Sequence, residues 1–274
     1  MTHYEQYSSI QAFAQRLMLP DNEYFKIEGG KYYNREKSSR KNFNQFDSFN
    51  EAVEALTTGD AKNAAKIKKA FDAERCDAGK VEKIRKTVRT SGGGVPNVPA
   101  FLSGSARHMM QRVKRQQRTN ILDIYINGCC DYTQKAADIL TVNISILQAV
   151  QAVERAGYQC NIYVCNIVQN RNKDLYAYSV RIKPAGAPLN VYNVAFPMLS
   201  PDMLRRVTFK YLCSAEGFSH TGMGRVVSDE KIQREALRIA SDTPLFCMQN
   251  IIRDVYMTNE ARTKKYISMI LATK

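Results

Sequence analysis

Fifteen Lys and Arg residues crowd into positions 61–120 of this chain of 274 residues, against four Asp and Glu. Segregated positive charge concentrates polyanions and supplies phosphate contacts that weaken as salt rises. The residues placed to make such contacts are Lys62, Lys66, Lys69, Lys83, Arg85, Lys86, Arg89, Arg107, Arg112, Lys114, Arg115 and Arg118. The flanks differ: residues 1–60 carry a net charge of −2 and residues 121–274 a net of +5, within a total of +14. A run of like charge is most often a solvated helix face. Here the near-single sign and an adjoining Gly/Pro break favour a nucleic-acid surface. The tyrosines, Tyr4, Tyr7, Tyr24, Tyr32 and Tyr33 among them, offer rings for stacking on unpaired bases. The commoner role is packing with the hydroxyl outward.

Other residues carry weaker chemistry. Ser91-Gly92-Gly93-Gly94 lacks the Gly-x-x-x-x-Gly-Lys-Ser/Thr pattern of a phosphate loop and reads as a linker. Cys129-Cys130 follows a strand and precedes a helix, where a thiol can be activated, but two small buried residues are the stronger reading. Arg205-Arg206 divides between an internal ion pair, favoured for Arg206, and an anion clamp, left open for Arg205. The histidines His3, His108 and His220 are far apart, and no Cys-x-x-Cys pair exists, so zinc-ligand spacing is absent. No paired carboxylates commit to one face. These features predict a non-catalytic protein without a cofactor.

The elements that must position these residues begin with an irregular, partly helical lead-in over the first sixty positions. It holds a short helix from Tyr7 to Met18, ended by Pro20, and a polar loop from Gly29 to Asn44. Ser48-Phe49-Asn50-Glu51 reads as a capping box for a helix to about Leu56, with Gly59 at its C′ position. A second helix runs from Asp60 to about Asp77. Thr90 to Pro99, with three glycines and two prolines, is the clearest break in the chain: a hinge, a boundary or an ordered loop. Ser105 to Gln117 then reads as a basic helix.

From Ile121 the pattern sharpens. Ile121–Ile126 is strand-forming, Asn127–Thr133 is a polar loop, and apolar residues recur on one helical face from Gln134 to Ala156. Strands follow at Tyr158–Gln169 and Leu175–Lys183, joined by the turn Asn170–Asp174. A parallel pair with an antiparallel third strand is expected. Ser200-Pro201-Asp202 is a strong helix start. Further helices are read over Asp229–Ala240 and Glu260–Ala272, with a short strand over Leu245–Met248.

Hydrophobic residues make up 44% and charged residues 24%, a globular balance. No stretch approaches the ~18 apolar residues of a membrane span, and residues 1–20 lack the signature of a secretory signal. Seven cysteines, an odd number in apolar contexts, fit a reducing, cytoplasmic setting better than a disulfide framework. The expected division is a helical and irregular region over 1–90, a hinge and basic helix over 91–120, and an α/β core over 121–274.

Residues 121–183 resemble a von Willebrand factor A-like core, in which a buried strand leads to a metal-binding loop, a long helix and a strand hairpin. The family's Asp-x-Ser-x-Ser loop corresponds here to Asn127-Gly128-Cys129-Cys130-Asp131, so the metal site is degenerate, with Asn127, Asp131 and Thr133 as the remaining oxygen donors. A second resemblance spans Phe46–Ala52, Phe101–Gly104 and Phe196–Phe209. It is to an uncharacterised domain family common in bacteriophage genomes, with Pro201-Asp202-Met203-Leu204-Arg205-Arg206 its most specific part. Together they imply an α/β protein with a Rossmann-like, von Willebrand A-like sheet, flanking helices and a helical basic N-terminal region. The expected function is that of a viral accessory protein binding RNA or single-stranded DNA in the infected host's cytoplasm. The alternative is an interaction module in a phage assembly or virion, with a phage or host protein as partner.

Overall fold

A computed structural model describes residues 1–27, 30–34, 45–73, 85–92, 94–114, 121–131, 133–219 and 223–272, and of residues 85–88 and 111–114 the backbone alone. The chain divides into two compact units, Met1–Ala78 with Ile121–Lys274, and Gly79–Asn120. In chain order the elements begin with β1 (Thr2–Tyr7), α1 (Ile10–Leu17), α2 (Gly30–Tyr33), α3 (Phe49–Thr58) and α4 (Ala61–Ala73). The smaller unit contributes β2 (Arg85–Thr90), β3 (Val95–Pro96), α5 (Val98–Leu102) and β4 (Met109–Lys114). Then come β5 (Ile121–Asn127), α6 (Ala136–Arg155), β6 (Gln159–Gln169), β7 (Leu175–Lys183) and α7 (Val191–Leu199). A π-helical segment (Met203–Thr208) runs into α8 (Phe209–Cys213), followed by β8 (Arg225–Val226), α9 (Glu230–Leu237) and β9 (Leu245–Cys247). The chain closes with α10 (Met248–Ile251), a 3-10 turn (Ile252–Tyr256) and α11 (Asn259–Leu271).

The larger unit is a mixed α/β structure around a sheet ordered β1-β7-β6-β5-β9, with β8 added to β6. β5 pairs in parallel with both β6 and β9. β6 and β7 form the antiparallel hairpin that the short turn demands. Ile124 to Asn127 are all buried, as a central strand covered on both faces requires. One face packs under α9 through Tyr125, Tyr163, Cys165, Ala177, Ala236 and Leu237. The other is covered by α6, α7 and α1, and by Tyr211 of α8, whose ring meets that of Tyr178.

Several expectations need correction. The lead-in, helical and irregular as expected over much of its described length, also supplies a strand: β1 pairs in parallel with β7 from Thr2↔Leu175 to Tyr7↔Val180. Its residues Thr2 to Gln6 alternate too weakly to read as a strand, and its contacts come from far away, such as the His3 ring stacked on Tyr176 at 4.5 Å. α1 begins later than Tyr7 because Ser9 caps it, accepting the Ala12 amide at 3.1 Å. Residues 1–78 therefore belong with 121–274, and the boundaries fall near 78 and 120 rather than 90. α6 is, among the described residues, a helix long and apolar enough to cross a membrane, with a mean hydropathy of 1.4 over its window. Its apolar face is instead core: Val142, Ile146, Leu147, Val150 and Val153 are buried.

The capping box forms, with the Glu51 amide donating to Ser48 Oγ at 3.2 Å and the Asp47 amide to Glu51 Oε2 at 3.0 Å. The smaller unit is a three-stranded antiparallel sheet ordered β2-β4-β3. Within the basic helix expected over Ser105–Gln117, residues Met109–Lys114 form β4 instead, and 115–117 lie outside the described residues. Composition does not mark the difference, since Arg112 and Lys114 suit either structure and the pairing with β2 decides. The Gly/Pro break, of which Gly93 lies outside the described residues, contains β3 and leads into α5. Gly94 supplies a positive φ of 85°, and Pro96 sits on the edge strand, where its missing N–H is tolerated.

Candidate nucleic-acid interface and the cleft at the strand ends

Of the twelve basic residues expected to meet phosphate, Lys83, Arg115 and Arg118 lie outside the described residues. Lys62, Lys66 and Lys69 are exposed on α4, at a spacing that makes one stripe. Lys66 Nζ donates to Asn63 Oδ1 at 2.8 Å. These lysines belong to the larger unit, because the apolar side of α4, Ala64 and Ile67, is core there.

The others fall in the smaller unit. Arg107 precedes β4 and is exposed. The antiparallel register sets Arg85 opposite Lys114, Thr87 opposite Arg112 and Arg89 opposite Met110. Directly opposed residues share a face and successive residues alternate, so positions 85, 89, 112 and 114 lie on one face and Lys86 on the other. The period-two spacing of Arg85, Thr87 and Arg89, and of Arg112 and Lys114, was the available signal for this ribbon. Of the tyrosines proposed for stacking, Tyr4 and Tyr33 are tied into the larger unit: Tyr4 Oη bonds Ser179 Oγ at 2.7 Å, and Tyr33 donates to Asp21 Oδ2 at 3.1 Å, while Tyr24 is exposed.

A second site lies where the sheet's connectivity branches. From β5 the chain crosses by α6 to β6 on one side, and β9 arrives on the other. Open α/β sheets bind ligands beyond the strand ends at such a point. Here a cleft of about 390 Å³ is lined by Cys130, Asp131, Arg205, Phe209, Arg225 and Gln249. The π-helical turn brings Arg205 to it, with the guanidinium 5.9 Å from the Phe209 ring centre. Burial pulls the Arg205 pKa below its usual value, against the opposing pull of the nearby Cys130 and Asp131.

Beneath the cleft runs a closed polar network. Asn166 Nδ2 donates to Tyr178 Oη at 2.6 Å and to Thr208 Oγ1 at 2.8 Å. Tyr178 and Thr208 hydroxyls meet at 2.7 Å, and Thr208 donates onward to the Met203 carbonyl at 2.9 Å. Cys129 Sγ donates to Asn166 Oδ1 at 3.3 Å. An adjoining cavity of about 50 Å³ is bordered by Asn143. Its Nδ2 donates to the Met198 carbonyl, and its buried Oδ1 has no partner among the described residues.

Neither thiol is activated. Burial pushes the Cys130 pKa up to about 11 and that of Cys129 further still. The degenerate loop does not fit a metal ion either. Asn127 is buried with Oδ1 accepting the Cys129 amide at 3.0 Å and Nδ2 donating to Gln233 Oε1 at 3.0 Å. Asp131 Oδ1 accepts the Thr133 amide at 3.2 Å, while Thr133 is exposed. No group of three His, Cys, Asp or Glu poised for a metal occurs among the described residues.

Arg206 takes the internal role. Its Nε donates to Asp202 Oδ1 at 2.9 Å, and its other nitrogens reach the carbonyls of Tyr33, Phe46 and Asp47 at 3.0, 2.8 and 3.1 Å. Asp202 Oδ2 accepts the Gln45 and Phe46 amides at 2.5 and 3.1 Å. The Asp202–Arg206 pair thus fastens the 45–47 segment to the core.

Fold and sites define a mixed α/β protein with a parallel-rich central sheet and a small basic antiparallel unit. A family model described as Domain of unknown function (DUF7192) matches residues 2–269, and the chain belongs to that family. No curated protein and no solved structure matches it.

Proposed function

We propose that this protein binds nucleic acid, without catalysis, through the basic face of Gly79–Asn120. The observation carrying this reading is the register that sets Arg85 against Lys114 and continues the face through Arg112 and Arg89. Like charges directly opposed on neighbouring strands cost roughly 0.2–1 kcal/mol. A bound polyanion removes that cost and gains counterion release. The unit holds ten Lys and Arg against one acid, Glu82, so charge within it does not cancel. A two-stranded ribbon also has dimensions that a duplex major groove accepts, and its open face accepts a single strand equally well.

The test is fluorescence anisotropy with labelled single-stranded RNA, single-stranded DNA and duplex DNA over a salt series. Affinity is expected to fall steeply with salt, by a log–log slope of roughly −0.7 per single-strand phosphate contact. Replacing Arg85, Arg89, Arg112 and Lys114 together by Glu should remove binding. An unchanged affinity across the series would overturn the proposal. The resemblance to phage-borne domains makes the cytoplasm of an infected host the setting we propose.

We also infer that the larger sheet is a von Willebrand A-like variant of the doubly wound fold. Support comes from the succession of β5, the 127–133 loop, α6 and the β6–β7 hairpin. That favours a second reading, a protein-interaction module working through the Arg205 cleft. Absence of nucleic-acid binding at low salt would leave this second reading in place.

A further inference from the structure

The smaller unit is basic, but it also leaves apolar surface open. Val95, Val98, Phe101 and Leu102 are 66%, 59%, 61% and 78% exposed. Val95 pairs with Met110, which also pairs with Arg89, so Arg89, Met110 and Val95 form one row across the sheet on the basic face. α5 follows β3 at once. It is started by Asn97, whose side chain accepts the Ala100 amide at 3.3 Å. The Asn97 amide donates to the His108 carbonyl at 2.7 Å, which ties the helix to the approach to β4. Phe101 is held edge-on to the His108 ring, with centres 5.2 Å apart at 68°. The His108 ring is itself oriented by Nδ1 donating to the Ser105 carbonyl at 3.1 Å. The Phe101 ring is thus oriented from one side and left open to solvent.

Exposed apolar side chains gathered within eight positions mark a binding surface. Charge selects the occupant. A unit with ten basic residues against one acid suits a polyanion, and its exposed apolar side chains suit one that presents flat apolar faces. Duplex nucleic acid stacks its base faces inward, whereas a single strand exposes them. We infer that Phe101, with Val95, Val98 and Leu102 around it, is a stacking site for unpaired nucleobases, so that the ligand is single-stranded. This rests on the nucleic-acid reading above and names its substrate class.

The experiment uses the full chain and three labelled ligands: an oligothymidine of about 20 nucleotides, longer than a typical single site, an abasic strand of equal length, and a duplex of equal length. Wild type should prefer the oligothymidine to the abasic strand. Phe101→Ala should weaken oligothymidine binding by roughly tenfold, within the range of one lost base–aromatic stack. Its affinity for the abasic strand and the duplex, and its salt slope, should stay as in wild type, and Phe101→Tyr should restore the loss. Leu102→Ser provides a second variant at the most exposed of the four positions, with a smaller loss in the same direction. Equal losses on the abasic strand, or no loss at all, overturn the stacking site while leaving the basic face intact. A wild type that binds none of the three ligands at low salt overturns both readings. Self-association of wild type that Phe101→Ala abolishes would give the patch to a second copy of the chain and end the proposal.

Discussion

The cleft beyond β5 and the ribbon of β2 and β4 treat their polar groups in opposite ways. Under the cleft, Asn166, Tyr178, Thr208 and Cys129 satisfy one another, and Arg206 and Asp202 spend their hydrogen bonds on protein partners. In the ribbon, the register opposes Arg85 to Lys114, and apolar Val95 stays open to water. The first arrangement holds a fold together. Under the proposed function, the second gains from a ligand that brings negative charge and flat apolar faces.

Four substitutions or conditions can break that contrast. The largest effect on stability is expected from Arg206→Leu, which leaves the buried Asp202 without its cation and takes the donors from the Tyr33, Phe46 and Asp47 carbonyls. A loss of about 3–5 kcal/mol is expected in denaturant unfolding, as for other broken buried pairs. The nucleic-acid affinity of the fraction that remains folded should not change. Thr208→Val should cost about 1–3 kcal/mol, because Asn166 and Tyr178 lose an acceptor that no water replaces. A milder loss would mean that the network rearranges.

Third in size is a pH effect. The Cys130 pKa is raised to about 11 from an ordinary value of 9.0, so the native state keeps a proton that the unfolded chain releases. Stability from this group is full below pH 9.0 and is lost as pH rises toward about 11. Unfolding curves should shift downward across that window, and Cys130→Ala should flatten the decline. Alkylation of native protein by iodoacetamide should be slow at neutral pH, and rapid labelling of Cys130 there would contradict its burial. The smallest expected change is in the stability of the quadruple Glu variant of the ribbon. Each substitution should alter stability by no more than about 0.5 kcal/mol, as surface changes do, while binding is lost. A collapse in stability with binding retained would invert the contrast.

Much of the larger unit was legible because its signals are local. The apolar run Ile121–Ile126, the helical face from Ile139 to Val153, the turn Asn170–Asp174 and the Ser48 cap all appear where local rules place them. The misread segments share another property. β1 and β4 have compositions that suit more than one structure, and their partners lie 173 positions away in one case and on a neighbouring strand in the other. The ribbon's basic residues were visible one by one, but their shared face depends on a register that no short window contains. Nothing in the sequence marked Phe101 as exposed, since an aromatic residue is more often core than surface.

The sequence by itself determined where the positive charge accumulates, where Ser48 caps a helix, and that a parallel pair and a hairpin build the central sheet. These follow from composition, capping chemistry and periodicity. Only the tertiary structure decided the fates of neighbours such as Arg205 and Arg206. Adjacent residues on a helical turn point in different directions, so one reaches Asp202 and the 45–47 segment while the other lines the cleft. Likewise, only strand pairing determined that Arg85, Arg89, Arg112 and Lys114 share a face, because the side of a strand on which a residue stands is set by register across the sheet.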